Sequence, residues 1–263
     1  MTAPMTDQPF SSDEMMTVAA ARLIDNGTVC FVGIGLPSAA ANLARASHAP
    51  DAVLIYESGT VGAKPAVLPL SIGDSELAET ADFVVSTAEI FRYWLQGGRI
   101  TVGFLGAAQI DRFGNINTTV IGDYAQPKTR LPGAGGAPEI AGLAGEVFVI
   151  MRQSKRGFVE KVEFVTSAGH LTGGDWRERS GLPGRGPSTV ITDLGVLQPH
   201  AESRELVLTH THPGVALNDV LAATGWPLKV ADDLTVTPAP TQDELRALRG
   251  LHERTAAARA LAG

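Results

Sequence analysis

The sequence predicts an α/β fold in which an open, mostly parallel sheet is flanked by helices. Three runs of strand-forming residues, at 28–32, 53–56 and 99–105, are each followed by a glycine within three residues, as expected of strands that end in tight turns. Segments with helical spacing of apolar residues stand between these runs, and the 29 glycines suit many such turns. Strands that alternate with helices are typical of α/β sheets.

Length and composition favour one soluble domain spanning residues 1–263, since no shift in composition marks a linker. We expect residues 1–10 to be disordered. The net charge of -7 argues against a general nucleic-acid or anionic-membrane binder, because these proteins need a basic face. No apolar run approaches the roughly 20 residues of a membrane span, and no signal peptide is recognisable, so we expect a cytoplasmic protein. The single cysteine, Cys30, lies in an apolar run and is expected to be a small buried hydrophobe.

The first predicted helix begins at a capping box formed by Ser11 and Glu14, and Asn26-Gly27 is expected to end it. The strand at 28–32 leads through Gly33-Ile34-Gly35 into a second helix. A dinucleotide-binding loop would need a third glycine at position 38, where the chain has Ser38. A nicotinamide or flavin site is therefore disfavoured, although Glu57 stands at about the distance of a ribose-binding acid, and a tight turn beside the site is the preferred interpretation.

The run Leu54-Ile55-Tyr56-Glu57-Ser58-Gly59 is the stretch around which the site is predicted. Three strand-type residues lead into a carboxylate, and a small residue and a glycine follow at once. Ligands of open α/β sheets bind at the carboxyl ends of strands, so Glu57 is a candidate nucleophile or base. The alternative is a solvated loop residue, because acids usually lie exposed.

A strand at 82–86 is expected to precede a helix that Thr87 caps and that ends at Gly97-Gly98. With Thr87 as N-cap, the third helical position is Ile90, so this prediction includes no capping box. The small residues after the strand at 99–105 would let a ligand approach closely, which makes Gln109 a candidate substrate contact.

Residues 111–137 contain five glycines and two prolines without a useful helical or strand period, and such long loops are usually functional or disordered. Backbone N–H groups in its Gly133-Ala134-Gly135-Gly136-Ala137 run can cradle a phosphate or an oxyanion, and Lys128 and Arg130 add positive charge. A solvated turn with incidental basic residues is the alternative.

The chain after residue 137 is predicted to contain strands, two helices and one glycine-rich surface loop, called the excursion below. The predicted strands cover residues 146–151, 158–165, 190–192 and 206–209, the excursion covers 169–187, and the helices cover 218–224 and 242–261. No metal site is expected, because His210 and His212 have no nearby cysteine or carboxylate cluster to complete a ligand set. A G-x-S-x-G elbow and a Walker motif are also missing from the sequence.

Five motifs, in order, resemble the β subunit of family I CoA-transferases, most closely the glutaconate CoA-transferase type. They are VGIGLP (32–37), YESG (56–59), LGAAQIDRFGNIN (105–117), IGDYAQPKTRLPGAGGA (121–137) and TDLGV (192–196). The resemblance covers the chain from about Met15 to about Val236. It implies a fold like that of this family, a separately encoded α subunit as partner, and acyl-CoA and a carboxylic acid as substrates. Coenzyme A would be a substrate, and no cofactor is implied.

The same resemblance implies that Glu57 is the covalent nucleophile and that Gly135, Gly136 and Ala137 contact CoA or an oxyanion. Glu57-Ser58-Gly59 differs from the ENG of the 3-oxoacid branch, which argues against succinate paired with acetoacetate or 3-oxoadipate. Related chains that have lost the glutamate are hydrolases or decarboxylases, whereas this chain keeps it. Two other functions stay open: a CoA-thioester hydrolase or lyase in which Glu57 is a general base, and a CoA-binding regulatory subunit.

Overall fold

A computed structural model of the protein describes residues 9–262 of the chain. Residues 1–8 of the segment expected to be disordered lie outside the described residues. The last two residues of that segment contact the folded chain: Phe10 packs against the core, and the carbonyl of Pro9 accepts a hydrogen bond from Arg249 at 2.7 Å. Whether the chain forms one domain stays a prediction.

Within residues 9–262, fourteen strands form one ten-stranded sheet and two small hairpins. The first five belong to the main sheet: β1 (Val29–Phe31), β2 (Val53–Ile55), β3 (Thr60–Val61), β4 (Phe83–Val84) and β5 (Val102–Leu105). The hairpins pair β6 (Gln109–Ile110) with β7 (Ile116–Asn117), and β8 (Val120–Gly122) with β9 (Pro127–Arg130). The main sheet continues with β10 (Glu146–Ile150), β11 (Pro187–Ile191), β12 (Gly195–Pro199), β13 (Leu206–Thr211) and β14 (Lys229–Val236).

The strand order of the main sheet is β14-β13-β12-β11-β10-β5-β1-β2-β3-β4. Its five central strands, from β11 to β2, are parallel. Antiparallel pairing adds β12 and β13 on one side and β3 and β4 on the other, and β14 at the edge pairs parallel with β13. This arrangement confirms the predicted open, mostly parallel sheet. The carboxyl ends of the central strands therefore meet at one edge, which is where a site is expected.

Helices cover both faces of this sheet. They are α1 (Ser12–Ala21), α2 (Leu36–Ala46), α3 (Ser75–Glu79), α4 (Thr87–Glu89) with the π-helix Ile90–Leu95 directly after it, α5 (Ala137–Leu143), α6 (Trp176–Arg179), α7 (Leu217–Ala222) and α8 (Gln242–Ala262). No helix in the described part of the chain is both long enough and apolar enough to cross a membrane.

Two cores lie on opposite faces of the sheet, because neighbouring residues of a strand point to opposite sides. Leu54 packs with α1 and α2 in one core, whereas Ile55 packs with Ile140 of α5 in the other. Cys30 is fully buried in the first core, as predicted, and burial raises the pKa of its thiol. Burial on both faces explains why the central strands read as continuous apolar runs.

Three local predictions after residue 110 are wrong. Residues 158–165 form no strand: their described backbone makes one bridge, between Phe158 and Ile110. Residues 111–137 are more regular than predicted, since β7, β8 and β9 lie there. The excursion at 169–187 is partly internal, with His170 and Arg177 both buried.

Candidate active site

Glu57 lies directly after Tyr56 in the tight turn that joins β2 to β3. The N–H of Gly59 donates to the carbonyl of Tyr56 at 3.0 Å, and the N–H of Tyr56 donates to Thr60 at 3.1 Å. Gly59 has a positive φ of 115°, and a Cβ there would collide with the carbonyl oxygen of Val85. Glycine is therefore required in this turn, and the turn carries Glu57 past the end of the strand.

The turn is anchored by the buried side chain of Tyr56. Its hydroxyl lies 3.0 Å from Oγ of Ser38 in α2, and the Ser38 carbonyl accepts a hydrogen bond from the side chain of Asn42 at 2.8 Å. Burial raises the pKa of Tyr56 to about 12, so the hydroxyl stays protonated and can donate. The residue before Glu57 is thus held by burial in the core and by its contact with α2.

A cavity of about 660 Å³ opens at this edge. It is lined by Glu57 together with the loops that follow β1 and β5, the loop before α5, and a few side chains including Ile72 and Thr118. Glu57 is the single charged side chain among the described residues that line it. A mostly apolar cavity with one carboxylate and several glycine-rich walls suits a ligand that brings its own polar groups.

The loop before α5 contributes glycine backbone to the cavity wall. Gly136 is the N-cap of α5 and provides no side-chain cap. In the described part of the chain, the N–H groups of Gly135 and Gly136 have no hydrogen-bond acceptor. Thr118 holds the start of this loop, because its hydroxyl donates to the carbonyl of Gly133 at 2.8 Å and its carbonyl accepts from the N–H of Gly133 at 2.8 Å.

Gly136 touches both Glu57 and the aromatic ring of Phe91. A Cβ built on Gly136 would lie 3.3 Å from Oε1 of Glu57 and 2.5 Å from Cζ of Phe91. Phe91 also packs on Phe31 of β1, with 5.8 Å between the ring centroids. Glu57 lies in the turn after β2, Phe91 in the π-helix and Gly136 in the loop before α5. Packing of these separate elements therefore brings the carboxylate to the glycine backbone.

The helix that carries Phe91 begins one residue earlier than predicted. Ser86, not Thr87, is the N-cap: its hydroxyl accepts from the N–H of Glu89 at 3.2 Å, and the Glu89 carboxylate accepts from the N–H of Ser86 at 2.9 Å. The predicted absence of a capping box is therefore wrong. Ser86 and Glu89 have the spacing of a capping box, and that signal was available in the sequence.

The carboxylate of Glu57 has no partner among the described residues. Within residues 9–262, no side chain or backbone N–H donates to it, and no cation pairs with it. Glu57 differs in this respect from Glu89, whose carboxylate accepts a hydrogen bond from the N–H of Ser86. Glu57 is half-buried and free to meet a ligand in the cavity.

The other predicted site residues divide into two groups. Gly135, Gly136 and Ala137 line the cavity with Glu57. Lys128 and Arg130 lie on the exposed strand β9, outside the cavity lining, where Arg130 donates to the carbonyl of Tyr124 at 2.7 Å and lies over its ring.

Gln109 also lies outside the cavity lining and is buried in the hairpin of β6 and β7. Its side-chain oxygen accepts from Asn117 at 2.9 Å, and its amide nitrogen lies 3.5 Å from the carbonyl of Arg156. These contacts are of the kind that stabilise a hairpin.

Sequence reasoning did not identify Thr118 and Phe91 as neighbours of the site. Thr118 contacts the backbone carbonyl of Gly133, which leaves no mark in the sequence, and Phe91 reaches Gly136 only because the π-helix packs beside α5. A π-helix inside a helical segment frequently marks a functional site, but its irregular turn cannot be read from residue spacing.

The two histidines considered for metal binding lie elsewhere, on and after β13. The ring nitrogens of His212 lie 3.1 Å from the hydroxyl of Thr237 and 2.8 Å from the carbonyl of Thr192. Burial lowers the pKa of His212, which keeps the ring neutral. In the described residues no group of three histidine, cysteine or acidic side chains is arranged to hold a metal ion.

Known proteins are similar in sequence to this chain over most of its length. The coenzyme A transferase family model matches residues 13–223. The chain is 67% identical over 249 residues to the B subunit of 3-oxoadipate CoA-transferase of Pseudomonas knackmussii, covering 95% of this chain and 96% of the relative. It is 39% identical over 228 residues to the B subunit of glutaconate CoA-transferase of Acidaminococcus fermentans, covering 84% and 85%.

The crystal structure of glutaconate coenzyme A-transferase from Acidaminococcus fermentans superposes with a TM-score of 0.86 at 35% identity, covering 92% of this chain and 94% of that chain. The resemblance to glutaconate CoA-transferase is thus confirmed in sequence and in fold. The name of the 67% identical relative runs against the expectation, drawn from Ser58, that 3-oxoadipate is disfavoured. The match of the family model to most of the chain and two curated relatives of this identity and coverage show that the protein belongs to the coenzyme A transferase family.

Proposed function

We propose that Glu57 is the covalent nucleophile of a CoA-transferase in which this chain is the catalytic β subunit. One observation carries the proposal: the unpaired Glu57 carboxylate lies beside Gly136 in a cavity that also contains the unpaired N–H of Gly135. A carboxylate is a weak nucleophile, so it depends on placement against the thioester carbon. Positioning of this kind can supply roughly 7 to 11 kcal/mol of the barrier.

The reaction starts when Glu57 attacks the carbonyl carbon of the acyl-CoA thioester. The carbon–sulfur bond breaks, and a mixed anhydride and the CoA thiolate form. The thiolate then attacks the Glu57 side of the anhydride, which releases the first carboxylate and leaves a glutamyl-CoA thioester. The acceptor carboxylate repeats both steps in reverse, and its acyl-CoA leaves while Glu57 is regenerated. No net proton or electron transfer is required, so this chemistry needs no metal or redox cofactor.

Each attack places negative charge on the former carbonyl oxygen, and this charge needs hydrogen-bond donors. The N–H groups of Gly135 and Gly136 are the donors that we assign to it. Donors that are already oriented are worth most in an apolar cavity, where water does not compete. Ala137, the first residue of α5, also lines the cavity. Lys128 and Arg130 lie on the exposed strand β9, where they can bind the phosphates of CoA.

The partner and the substrates are proposed from the relatives. The names of two of them describe a B subunit, so we propose an α subunit that completes the cavity on its open side. The 67% identical relative is named for 3-oxoadipate, and we propose a 3-oxo dicarboxylic acid as one of the two acids in the cytoplasm. The isolated chain is expected to lack turnover, and co-expression with the α subunit is expected to restore it.

Trapping of the glutamyl thioester tests the role of Glu57. The αβ complex is incubated with acyl-CoA without acceptor acid and then treated with borohydride, which reduces the thioester to an alcohol. Mass spectrometry is expected to locate this change in the peptide that contains Glu57. Glu57→Gln should give no adduct, whereas Glu139→Gln, an exposed substitution in the first turn of α5, should trap as the parent protein does.

A hydrolase in which Glu57 is a general base predicts a different result. Acyl-CoA would be consumed without acceptor acid, no reducible adduct would form, and Glu57→Gln would abolish the hydrolysis. A CoA-binding regulatory subunit would show neither an adduct nor turnover in the αβ complex. Absence of an adduct with an acyl-CoA that is turned over would replace the transferase proposal by the hydrolase.

A further inference from the structure

Arg177 is a buried cation without a carboxylate partner in the described part of the chain. It lies in α6, within the glycine-rich segment 169–187, and only 6% of its surface is exposed. Burial lowers its pKa to about 10, so the guanidinium remains charged at neutral pH. Among the described residues no acid forms an ion pair with it, and burying an unpaired cation is costly, so its contacts call for a specific role.

The guanidinium is satisfied by backbone carbonyls, and two of these belong to α5. Its Nη2 donates to the carbonyl of Ala141 at 2.9 Å and to that of Gly142 at 3.3 Å. Its other nitrogens donate to carbonyls of its own segment, including Gly169 at 2.9 Å and Gly184 at 2.8 Å. Arg177 thus joins the end of α5 to a rigid loop, and a cation there is favoured because the last carbonyls of a helix carry partial negative charge.

The opposite end of α5 is the part of the cavity wall that touches Glu57. α5 has only seven residues, too few to be stable alone, and its N-cap Gly136 has no side chain that could hold the first turn. The N–H groups of Gly135 and Gly136, which precede the helix, are unpaired in the described part of the chain. The helix is therefore held at its far end, which leaves these donors available.

We infer that Arg177 is a positioning residue for CoA transfer: it fixes α5 and so holds the Gly135-Gly136 turn at its distance from Glu57. The inference rests on the proposed function, since it explains how the proposed oxyanion donors are held. Arg177 contacts neither the cavity nor Glu57. Its loss should therefore slow formation of the glutamyl thioester and leave binding of acyl-CoA unchanged.

Arg177→Lys tests this role, because lysine keeps the charge but lacks the planar fork that reaches several carbonyls. The measurement is the single-turnover rate of thioester formation on Glu57 at saturating acyl-CoA, per folded αβ complex, with the Kd for acyl-CoA measured in parallel. We expect the rate to fall by at least about 10-fold, toward the roughly 100-fold that a displacement of about 1 Å can cost, with Kd unchanged.

Arg22→Lys is the matched control for replacing the planar guanidinium of an arginine by an ammonium group. Arg22 also donates to two backbone carbonyls, those of Pro238 and Ala239, but it lies at the end of α1, away from the cavity. Its substitution should lower the thermal stability of the complex and leave the rate per folded complex unchanged. Equal rates for Arg177→Lys and the parent protein would overturn the inference.

Gly186→Ala provides a second test, in which Arg177 itself is kept. It tests the positioning role of Arg177 even if Arg177→Lys does not fold. A Cβ on Gly186 would lie 2.9 Å from Nη1 and 3.0 Å from Cζ of Arg177, so the guanidinium must shift. Gly186 has a φ of 77° and Gly181 a φ of 67°, but a Cβ on Gly181 meets nothing within 4 Å. The two alanine variants therefore carry a similar backbone strain, and only one of them moves Arg177.

Gly186→Ala should slow thioester formation several-fold relative to Gly181→Ala. Equal rates in these two variants would contradict a positioning role for Arg177. Failure of the proposed function is distinguishable from both results, because the parent complex itself would then form no borohydride-reducible adduct.

Discussion

Oε1 of Glu57 lies 3.3 Å from the point where a Cβ on Gly136 would stand. Gly136 has an ordinary φ of -83°, so the backbone does not require glycine at this position. The requirement comes from space, because the ring of Phe91 fills the other side, with Cζ 2.5 Å from the same point. Residue 136 can therefore lie between the Phe91 ring and the Glu57 carboxylate only if it has no side chain.

Gly136→Ala is expected to reduce turnover far more than stability. The added methyl must displace the ring of Phe91 or the carboxylate of Glu57, and a misplacement of about 1 Å can cost on the order of 10² in rate. Crowding of this kind costs typically about 1 to 3 kcal/mol in stability. Steady-state kinetics and urea unfolding of the αβ complex measure the two effects separately.

Gly157→Ala is the control for crowding away from the cavity, since its Cβ would lie 3.1 Å from Cε of Met151. It should lose less stability than Gly136→Ala, because the end of the Met151 side chain can move, and it should keep its turnover. Equal kinetic losses in the two variants would show that the effect of Gly136→Ala is not specific to the site.

Glu57→Asp is expected to lower the rate of thioester formation by about 10²-fold or more. The substitution keeps the carboxylate but retracts it by one methylene, and a misplacement of about 1 Å can cost this much. Rapid-quench measurement of the adduct gives the rate, and the exposed Glu139→Asp serves as the control in the same part of the chain. A Glu57→Asp rate equal to that of the parent protein would rule out in-line placement of Glu57 as the source of its reactivity.

The central sheet and the turn of Glu57 could be predicted because their signals are local. Buried parallel strands are continuous apolar runs, and residues 53–59 contain both the strand and its glycine turn. The strand β14 was missed, because Asp232 and Asp233 are unfavourable strand residues and its pairing with β13 is visible only in the folded chain. The opposite error occurs at 158–165. Apolar and polar residues alternate there as in a strand, but the segment pairs with no strand along its length among the described residues.

The candidate site was predicted in part for the same reason. Glu57, Gly135 and Gly136 stand next to strand-end or glycine-rich signals, and the structure places them in one cavity. Lys128 and Arg130 were selected by charge and proximity in sequence, but β9 directs this part of the chain outward. Arg177 acts on carbonyls that every residue possesses, so its role depends on packing that no residue pattern encodes.

Ser86→Ala is expected to destabilise the complex by about 1 kcal/mol, within the usual range of about 0.5 to 2 kcal/mol for a lost N-cap. Thr87→Ala, one residue later, should have little effect, because Thr87 is exposed and Ser86 supplies the cap. Thermal unfolding of the two variants is the measurement. A larger loss from Thr87→Ala would restore the assignment of Thr87 as N-cap that the structure contradicts.

Stability should depend on the ionisation of Glu244 in acid. Burial by itself raises the pKa of this carboxyl, but hydrogen bonds from Arg22, at 2.8 and 2.7 Å, and from Thr241 outweigh burial and lower the pKa to about 2, from an ordinary value of 4.5. A group whose pKa is depressed in the folded state stabilises the protein above its unfolded pKa. This contribution is lost as the pH falls from about 4.5 toward 2.

Glu244→Gln is therefore expected to be less stable than the parent protein at pH 7, with a difference that shrinks as the pH is lowered below about 4.5. Urea midpoints at pH 7, 5 and 3 measure this difference. Glu253→Gln, an exposed substitution in the same helix α8, should show a small and constant difference over this range. If the Glu244→Gln difference were equally constant, the ion pair between Arg22 and Glu244 would make no pH-dependent contribution to holding α8 against α1.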